Sequence, residues 1–332
     1  MRDRRTDQAG EKTAIGRSGR SGGIGACPEP LFADEIMSPA ARPPAPADRR
    51  FLTGLIGAPI AHSASPAMHE WAAEALGAHC HYQLIEVAGA GREELRLLFD
   101  GVRRLGFAGV NVTFPYKESV VSLLDELSPG ARAIGAVNTV VVRGGRLIGY
   151  NTDTTGFGRA ATELVRDPAQ SRVAVIGAGG VGRAIAFALA ETGVSEIRIF
   201  DTDRAKAQQL AAQLKSHGEV RAAGSVEDAM RGATGVVNGS PVGMLPNRGT
   251  PVPDALLHKG MWVADAVYTP LWTPLLNAAK AKGAEVMTGR ELAIYQAADA
   301  FELFTGLKPS AVEMGNAFDA VMAKRYAKAN AA

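Results

Sequence analysis

Short apolar runs alternate with amphipathic and polar stretches along most of the chain, and this pattern predicts an α/β fold. In the first half, it predicts strands at 51–57, 80–87, 107–113, 138–143 and 147–150. The segments between them predict helices at 65–76, 93–105, 116–125 and 157–165, with a loop over 151–158. Gly144 and Gly145 separate the last two strands and predict a hairpin. The first half is therefore expected to form a compact α/β unit.

A glycine-rich stretch, RVAVIGAGGVGRA, opens the second half. The apolar run at its start predicts a buried parallel strand, and 183–192 predicts a helix. Between them, Gly177, Gly179 and Gly182 have the spacing of a dinucleotide-binding turn. The first glycine permits a tight turn, the second lets the backbone approach a pyrophosphate, and the third lets helix pack on strand. The helix N-terminus offers unpaired N–H groups to the phosphates. The alternative is an ordinary glycine-rich turn.

A strand predicted at 196–200 ends at Asp201, about 20 residues past the glycines, where an acidic side chain binds ribose hydroxyls. Further strands are predicted at 235–238, 262–265 and 285–287. Strands alternating with helices predict a parallel, doubly wound sheet of the Rossmann type. Two final helices are predicted at 291–304 and 310–323.

Composition narrows the class of protein. A chain of 332 residues, with 46% hydrophobic and 21% charged residues, is long enough for two domains and typical of a soluble globular protein. A net charge of +2 favours neither nucleic acid nor membrane as partner, and no apolar run approaches the roughly 20 residues that span a bilayer. Cys27 and Cys80 lack metal-ligand neighbours, which predicts reduced thiols in a cytoplasmic protein. Residues 1–50 are predicted to be a disordered leader, within which Met37 is an alternative start.

Polar side chains interrupt the apolar strands near their ends, where α/β proteins build their sites. They are Ser63, Ser65, Asn111, Thr113, Lys117, Asn138, Thr139, Asn151, Thr152 and Asp153, with Gln296 on a late helix. Neutral hydrogen-bonding groups with one amine and one carboxylate suit a polyhydroxylated small molecule better than a metal or a phosphate. His79 and His81 alternate on one strand without partner ligands, so no metal site is predicted.

Lys117 and Asp153 are the pair to which we assign chemistry. A hydride can leave a carbinol carbon only if the hydroxyl proton is removed, and an ammonium beside a carboxylate can hold, orient and shuttle that proton. Partial desolvation also lowers the pKa of a lysine toward useful base strength. The alternatives are a solvated lysine at a helix start, helix capping by Ser65, and turn roles for Asn138 and Asn151.

Several stretches, in this order along the chain, resemble the shikimate dehydrogenase family, including its quinate/shikimate dehydrogenase branch. They are GAPIAHSASP (57–66), NVTFPYKE (111–118), GAVNT (135–139), GYNTDTTG (149–156), NGSPVGM (238–244) and DAVYTPLWTPLL (265–276). The resemblance implies reversible oxidation of the C3 hydroxyl of shikimate to 3-dehydroshikimate with a nicotinamide dinucleotide. It also implies a substrate domain over 51–154, completed by C-terminal helices over 291–326, and a dinucleotide domain over 155–290.

The resemblance also implies roles for individual residues. Lys117 becomes the proton acceptor, with Asp153 as its partner in a catalytic pair. The implied substrate ligands are Ser63, Ser65, Thr113, Asn138, Asp153, Tyr268 and Gln296. Together with the glycine pattern, the resemblance assigns the dinucleotide to Gly177, Ala178, Gly179, Gly180, Val181, Gly182, Asp201, Arg204, Ala266 and Gly289.

The residues after the second dinucleotide strand bear on the choice of cofactor. Family members that use NADP usually have a basic, Asn-Arg-Thr-like motif there. This chain has Asp201, which would accept hydrogen bonds from a 2′-hydroxyl and repel a 2′-phosphate. NAD is therefore favoured, while Arg204 keeps NADP use open. Glu70, where the family commonly has Asn, and the run 289–292 also depart from the family pattern and bear on substrate preference.

Three other functions stay open. They are an NAD-dependent quinate/shikimate dehydrogenase of quinate catabolism, a dehydrogenase for another substrate such as a methylenetetrahydrofolate, and a non-catalytic dinucleotide sensor. The pair Lys117 and Asp153 argues against a sensor, which needs no proton shuttle. The expected partner is a small-molecule substrate, with no nucleic acid or membrane, bound by a monomer or homodimer.

Overall fold

The computed structural model describes residues 49–331, except for the side chains of 326 and 328–331. The predicted disordered leader lies outside the described residues apart from its last two, and so do Cys27 and Met37. Two six-stranded sheets, one formed by each half of the chain, are the framework of the described residues. The predicted α/β fold class is thereby confirmed.

The first sheet is mixed. Its strands are β1 (Arg50–Gly57), β2 (His79–Glu86), β3 (Gly109–Val112), β4 (Glu126–Leu127), β5 (Thr139–Arg143) and β6 (Arg146–Tyr150), in the order β2-β1-β3-β5-β6-β4. The first three strands are parallel, and β5 runs antiparallel to both β3 and β6. Gly144 and Gly145 turn the chain between β5 and β6 with φ angles of 56° and 75°, which confirms the predicted hairpin.

Four helices accompany this sheet. They are α1 (Ser65–Ala75), α2 (Arg92–Arg104), α3 (Pro129–Ile134) and α4 (Thr152–Ala161). Helix α2 buries Leu95, Phe99 and Val102, which recur at helical spacing, in one apolar cluster with Ile56 and Val110 of the sheet. Burial of this face holds α2 against the sheet, because removing apolar side chains from water is the main stabilising term. The carboxyl ends of β1 and β3 meet at one edge, since the two strands are parallel.

One predicted helix of this half is wrong. Residues 116–125 form no continuous helix, because turns occupy most of 114–120 and a single 3₁₀ turn follows at Val121–Leu123. The carbonyl of Lys117 accepts a hydrogen bond from the backbone N–H of Val137, so it is not available to an α-helix. Lys117 therefore stands on a turn rather than at the start of a helix.

Two other local predictions also change. The expected loop over 151–158 is the first part of α4, because Asn151 Oδ1 accepts the N–H of Asp153 at 3.2 Å and caps the helix. Ser65 is the first residue of α1 rather than its cap, and Ala64 occupies the cap position. The Ser63 hydroxyl accepts the N–H of Ser65 at 3.2 Å and satisfies that helix start.

The second sheet is parallel throughout. Its strands are β7 (Arg172–Ile176), β8 (Glu196–Phe200), β9 (Glu219–Ala222), β10 (Gly235–Asn238), β11 (Trp262–Asp265) and β12 (Glu285–Met287), in the order β12-β11-β10-β7-β8-β9. The helices that connect them are α5 (Gly180–Glu191), α6 (Arg204–Leu214), α7 (Val226–Met230) and α8 (Pro274–Ala281). The predicted doubly wound sheet is confirmed, and the strand order reverses beside β7.

Strand β7 is covered on both faces. Val173 and Val175 pack into one apolar cluster, whereas Ala174 and Ile176 pack into another. Burial on both faces explains why this strand is an uninterrupted apolar run rather than an alternating one. The turn that follows it therefore extends from a rigid central strand.

The chain ends in two helices, α9 (Gly289–Thr305) and α10 (Ala311–Ala331). Phe301 of α9 and Phe318 of α10 form one apolar cluster with Met68 and Ala72 of α1, so the last helices return to the first half of the chain. The boundaries of the substrate and dinucleotide domains stay predictions. None of the helices within residues 49–331 combines the length and apolar character needed to cross a membrane.

Candidate active site

A cavity of about 910 Å³ opens where the carboxyl ends of strands from both sheets face each other. The first half contributes to its lining Ser63, Ser65, Thr113, Lys117, Asn138 and Asp153. The second half contributes Gly177, Gly179, Gly180, Val181, Asp201, Ala266, Tyr268, Gly289 and Gln296. The residues predicted to form the site that do not line this cavity are Thr139, Asn151, Thr152, Ala178, Gly182 and Arg204.

Lys117 and Asp153 form an ion pair within the cavity. Lys117 Nζ donates to Asp153 Oδ2 at 2.6 Å, and the two side chains are 12% and 7% exposed. Asn138 Nδ2 donates to the other carboxylate oxygen, Oδ1, at 2.9 Å. Both oxygens of the carboxylate are therefore held, and the ammonium points to a fixed place beside it.

The fold of the first half positions this carboxylate. Asp153 is the second residue of α4, so its side chain lies next to the unpaired N–H groups of the helix start. Asn138 Oδ1 accepts the N–H of Thr152 at 2.7 Å, so the residue before β5 is tied to the start of α4. On α4, Gly156 lies so close to α9 that an added Cβ would be 2.7 Å from the backbone nitrogen of Gln296. The close packing of α4 on α9 therefore fixes the positions of Asp153 and Gln296 relative to each other.

A second polar group surrounds the two serines. Ser63 Oγ donates to Ser65 Oγ at 3.1 Å, and Ser65 lies beside Tyr82. Tyr82 in turn donates to Asn111 Oδ1 at 2.8 Å. Tyr268, from the second half of the chain, lies beside Ser63 in the cavity lining. Burial raises the pKa of both phenols, so they are neutral hydrogen-bonding groups at ordinary pH.

Thr113 and Gln296 complete the polar lining contributed by predicted substrate ligands. Thr113 is half-buried at the end of β3. Gln296 Nε2 donates to the Ala293 carbonyl at 2.9 Å. The side-chain oxygen of Gln296 takes no part in that bond and can accept a hydrogen bond from a ligand. Hydroxyls and amides of this kind bind a molecule with several hydroxyl groups.

The glycine turn is shaped for a dinucleotide. Gly177 has φ 104°, and an added Cβ would be 2.9 Å from the backbone nitrogen of Ser240. A Cβ on Gly182 would be 2.0 Å from the carbonyl oxygen of Gly177, so helix and turn touch. A Cβ on Gly179 would meet nothing within 4 Å, because that position faces open space. Helix α5 begins there without a side-chain cap, so its N–H groups are available to phosphate oxygens.

Asp201 follows β8 directly and is hydrogen-bonded to the glycine turn. Its Oδ2 accepts the N–H of Ala178 in the glycine turn at 2.6 Å, and its Oδ1 accepts the N–H of Asp203 at 2.8 Å. A carboxylate oxygen has more than one acceptor site, so Asp201 can still bind ribose hydroxyls. Arg204 is exposed at the first residue of α6. The residues present therefore fit a dinucleotide.

Ala266 and Gly289 lie together where the nicotinamide is predicted. A Cβ on Gly289 would be 2.7 Å from the Ala266 carbonyl oxygen, so only glycine lets α9 start this close to the end of β11. Beneath them, Asp265 accepts hydrogen bonds from Asn238 at 2.9 Å and Thr273 at 2.7 Å. Burial raises the pKa of Asp265 to about 7, although these hydrogen bonds act in the opposite direction.

The supporting residues were not predicted from the sequence. The sequence places Tyr82 only within a predicted strand, and Asn238 and Asp265 only at the ends of predicted strands and in family-like stretches. A polar residue ending an otherwise apolar strand was the available signal for Asn238 and Asp265. In the described part of the chain, no three His, Cys, Asp or Glu side chains converge in a way that could hold a metal ion.

Comparison with known proteins places the chain in a family. Residues 55–140 match the family model of the shikimate dehydrogenase substrate binding domain, and residues 150–223 match the ThiF family. A shikimate dehydrogenase (NADP(+)) of Streptomyces avermitilis is 44% identical over 271 residues, covering 80% of this chain and 93% of that protein. A quinate/shikimate dehydrogenase (NAD(+)) of Corynebacterium efficiens is 44% identical over 277 residues, covering 80% of this chain and 97% of its own.

A solved structure gives the same result. Quinate dehydrogenase from Corynebacterium glutamicum in complex with NAD superimposes with a TM-score of 0.75 at 41% identity, over 82% of this chain and 100% of that one. Identity at this level, over nearly the whole length of the relatives, accounts for both sheets and the cavity between their strand ends. The chain belongs to the shikimate dehydrogenase family.

Proposed function

We propose that the protein catalyses the reversible oxidation of the C3 hydroxyl of shikimate to 3-dehydroshikimate with a nicotinamide dinucleotide. The observation that carries this proposal is the Lys117–Asp153 ion pair, which lies in one cavity with the serine cluster and the glycine turn. Family membership and the named activities of the relatives support it. Reaction at C3 requires a hydride and a proton to leave the same carbinol group. In the cavity, Lys117 is placed to take the proton, and the glycine turn fits the dinucleotide that would take the hydride.

The protein's own groups handle the proton. When bound, the nicotinamide supplies the hydride exchange. In the oxidation direction, neutral Lys117 Nζ accepts the C3 hydroxyl proton; in the reverse direction, its ammonium returns that proton to the carbonyl oxygen. Asp153 Oδ2, 2.6 Å from Nζ, orients the amine. Asn138 holds the other carboxylate oxygen and so fixes the pair in place.

Within this proposal, the remaining predicted ligands hold the ring. Ser63, Ser65 and Tyr268 offer hydroxyls from one group of the lining, and Thr113, Asn138 and Gln296 offer hydroxyl and amide groups from the rest. Such contacts orient the reacting hydroxyl toward Lys117, and correct orientation supplies a large part of enzymatic rate enhancement.

We further propose that NAD is preferred over NADP. Asp201 is hydrogen-bonded to the glycine turn, so its negative charge is fixed where the adenosine ribose is expected. A 2′-phosphate would meet this carboxylate; the nearby exposed cations along the chain are Arg204 and Lys206, of which Lys206 lines the cavity. The relatives named above use NAD in one case and NADP in the other.

Quinate is the second candidate substrate. The favoured cofactor agrees with the NAD-dependent quinate/shikimate relative, and the NAD complex of a quinate dehydrogenase has the same fold. Cytoplasmic location and a monomeric or homodimeric state complete the proposal. The half-buried free thiol of Cys80 fits a reducing compartment.

The test is a four-way assay of the purified protein, with shikimate or quinate as substrate and NAD⁺ or NADP⁺ as acceptor. We expect reduction of NAD⁺ with shikimate, and slower reduction of NADP⁺. Absence of reduction in all four pairings would reject the proposal. Calorimetric binding of NAD⁺ without any turnover would then support a sensor, and turnover of a methylenetetrahydrofolate would support that other dehydrogenase.

A further inference from the structure

The C-terminal helix brings a positive charge behind the serine cluster. Arg325 of α10 is half-buried and donates a hydrogen bond to the carbonyl oxygen of His62, the residue before Ser63. It also lies near Tyr268, which lines the cavity together with Ser63. The guanidinium therefore lies next to two groups that line the cavity, although it does not line the cavity itself.

No carboxylate among residues 49–331 forms an ion pair with this guanidinium. Its second contact within the described chain is the sulfur of Met322, at 3.8 Å. Arg290 of the neighbouring helix α9 differs, because Asp319 holds its guanidinium at 2.7 Å. An unneutralised, half-buried cation projects more of its field into its surroundings than a paired one.

The charge of the proposed substrate gives this cation a role. Shikimate carries its carboxylate on a ring carbon other than C3, so the carboxylate cannot reach Lys117 while the C3 hydroxyl does. It must also lie away from Asp153, since two carboxylates repel each other. The hydroxyls of Ser63 and Ser65 can donate hydrogen bonds to a carboxylate. The loop that carries them includes His62, whose carbonyl oxygen Arg325 contacts.

We propose that Arg325 determines specificity for anionic substrates by placing a positive charge behind the loop that carries Ser63 and Ser65. It acts through that loop rather than by touching the ring, so it is a positioning and electrostatic residue. The inference rests on the proposed function, because it assumes that a ring carboxylate enters this cavity. It does not depend on which dinucleotide is used.

The test compares shikimate with its uncharged methyl ester in the wild-type protein and in Arg325→Gln. For shikimate, we expect KM to rise about tenfold and kcat to change less than twofold, because the lost attraction acts on binding. For the ester, measured as a substrate or as a competitive inhibitor of shikimate, we expect less than a twofold change. Added salt should raise the KM for shikimate more in the wild type than in Arg325→Gln.

Two further variants separate charge from structure. Arg325→Lys keeps the charge and should retain most of the preference for the acid over the ester. Lys324→Gln removes a positive charge from the adjacent exposed position and should change neither KM. Equal losses for acid and ester in Arg325→Gln, or no loss for either, would overturn the inference. Absence of shikimate and quinate turnover in the wild type would instead reject the proposed function.

Discussion

The aliphatic stem of Lys117 lies directly against Gly180, the first residue of α5. A Cβ added at position 180 would be 3.0 Å from Lys117 Cβ and 3.2 Å from its Cδ. The proposed proton acceptor therefore packs against the same helix start that is proposed to bind the pyrophosphate. Because of this contact, the position of Lys117 in the cavity depends on the glycine turn.

Replacing Gly180 with alanine should move Lys117 away from its place beside Asp153. We expect kcat to fall up to about tenfold, because the lysine must give way by a few tenths of an ångström, and a misplacement of about 1 Å can cost about 100-fold. The control is Gly158→Ala on α4, where an added Cβ meets nothing within 4 Å. Steady-state kinetics of both variants provide the measurement. Equal kcat values for Gly180→Ala and Gly158→Ala would show that the contact does not position the lysine.

Lys117→Ala should remove the proton acceptor while leaving most of the lining in place. General acid–base catalysis is typically worth about 10²- to 10⁴-fold, so we expect kcat to fall by that factor and KM to change only a few-fold. The matched control is Lys259→Ala, at an exposed position away from the cavity. A kcat close to that of the control would exclude Lys117 as the proton acceptor.

Asp201→Asn should narrow the preference for NAD over NADP. An asparagine keeps an acceptor for the N–H of Ala178 and removes the charge that a 2′-phosphate would meet. We expect kcat/KM for NADP⁺ to rise about tenfold relative to that for NAD⁺, because one charge contact is worth roughly 1–2 kcal/mol near a surface. Asp203→Asn, in the capping residue of α6, is the control for a charge change next to the site. An unchanged cofactor ratio in Asp201→Asn would contradict the proposed NAD preference.

Asp265 should make the wild-type protein less stable as the pH rises from about 4 to 7. Burial raises its pKa from 3.8 to about 7 in the folded chain, so over this range the folded state holds a proton that the unfolded state releases. The free energy of unfolding then falls by up to about 4 kcal/mol, and the loss is complete above pH 7.

Asp265→Asn should abolish this pH-dependent loss of the free energy of unfolding. The asparagine amide is neutral throughout the pH range and can donate to the Thr273 hydroxyl. Denaturant unfolding at pH 5 and pH 8 would measure it: the variant should gain stability relative to the wild type at the higher pH. Asp254→Asn, at an exposed carboxyl, should show no such gain. A difference between Asp265→Asn and wild type that stays constant with pH would show that the carboxyl is not held protonated.

Local patterns predicted the parts of the fold that local interactions determine. The strand before Gly177, the glycine turn and the hairpin at Gly144 and Gly145 each follow from a few adjacent residues. The helix predicted over 116–125 failed because a distant N–H, that of Val137, takes the Lys117 carbonyl. Hydrophobic periodicity carries no information about such a long-range bond.

The site shows the same division. The two members of the ion pair were chosen from their chemistry and from the resemblance to the family, and the fold brings them within 2.6 Å. The Tyr82–Asn111 and Asn238–Asp265 hydrogen bonds join residues that are 29 and 27 positions apart. Nothing in the spacing of these residues marks them as partners, so only the assembled sheets reveal how the lining is supported.

The packing of α1 against α9 and α10 also has a consequence for biosynthesis. On the ribosome, α1 is made more than 200 residues before Phe301 and Phe318, which cover its apolar face. Throughout that interval Phe301 and Phe318 are not available to pack on Met68 and Ala72, so this apolar cluster is completed only after α9 and α10 have been synthesised. Chaperones that bind exposed apolar helices would find their target in α1 during translation, and lose it on release of the finished chain.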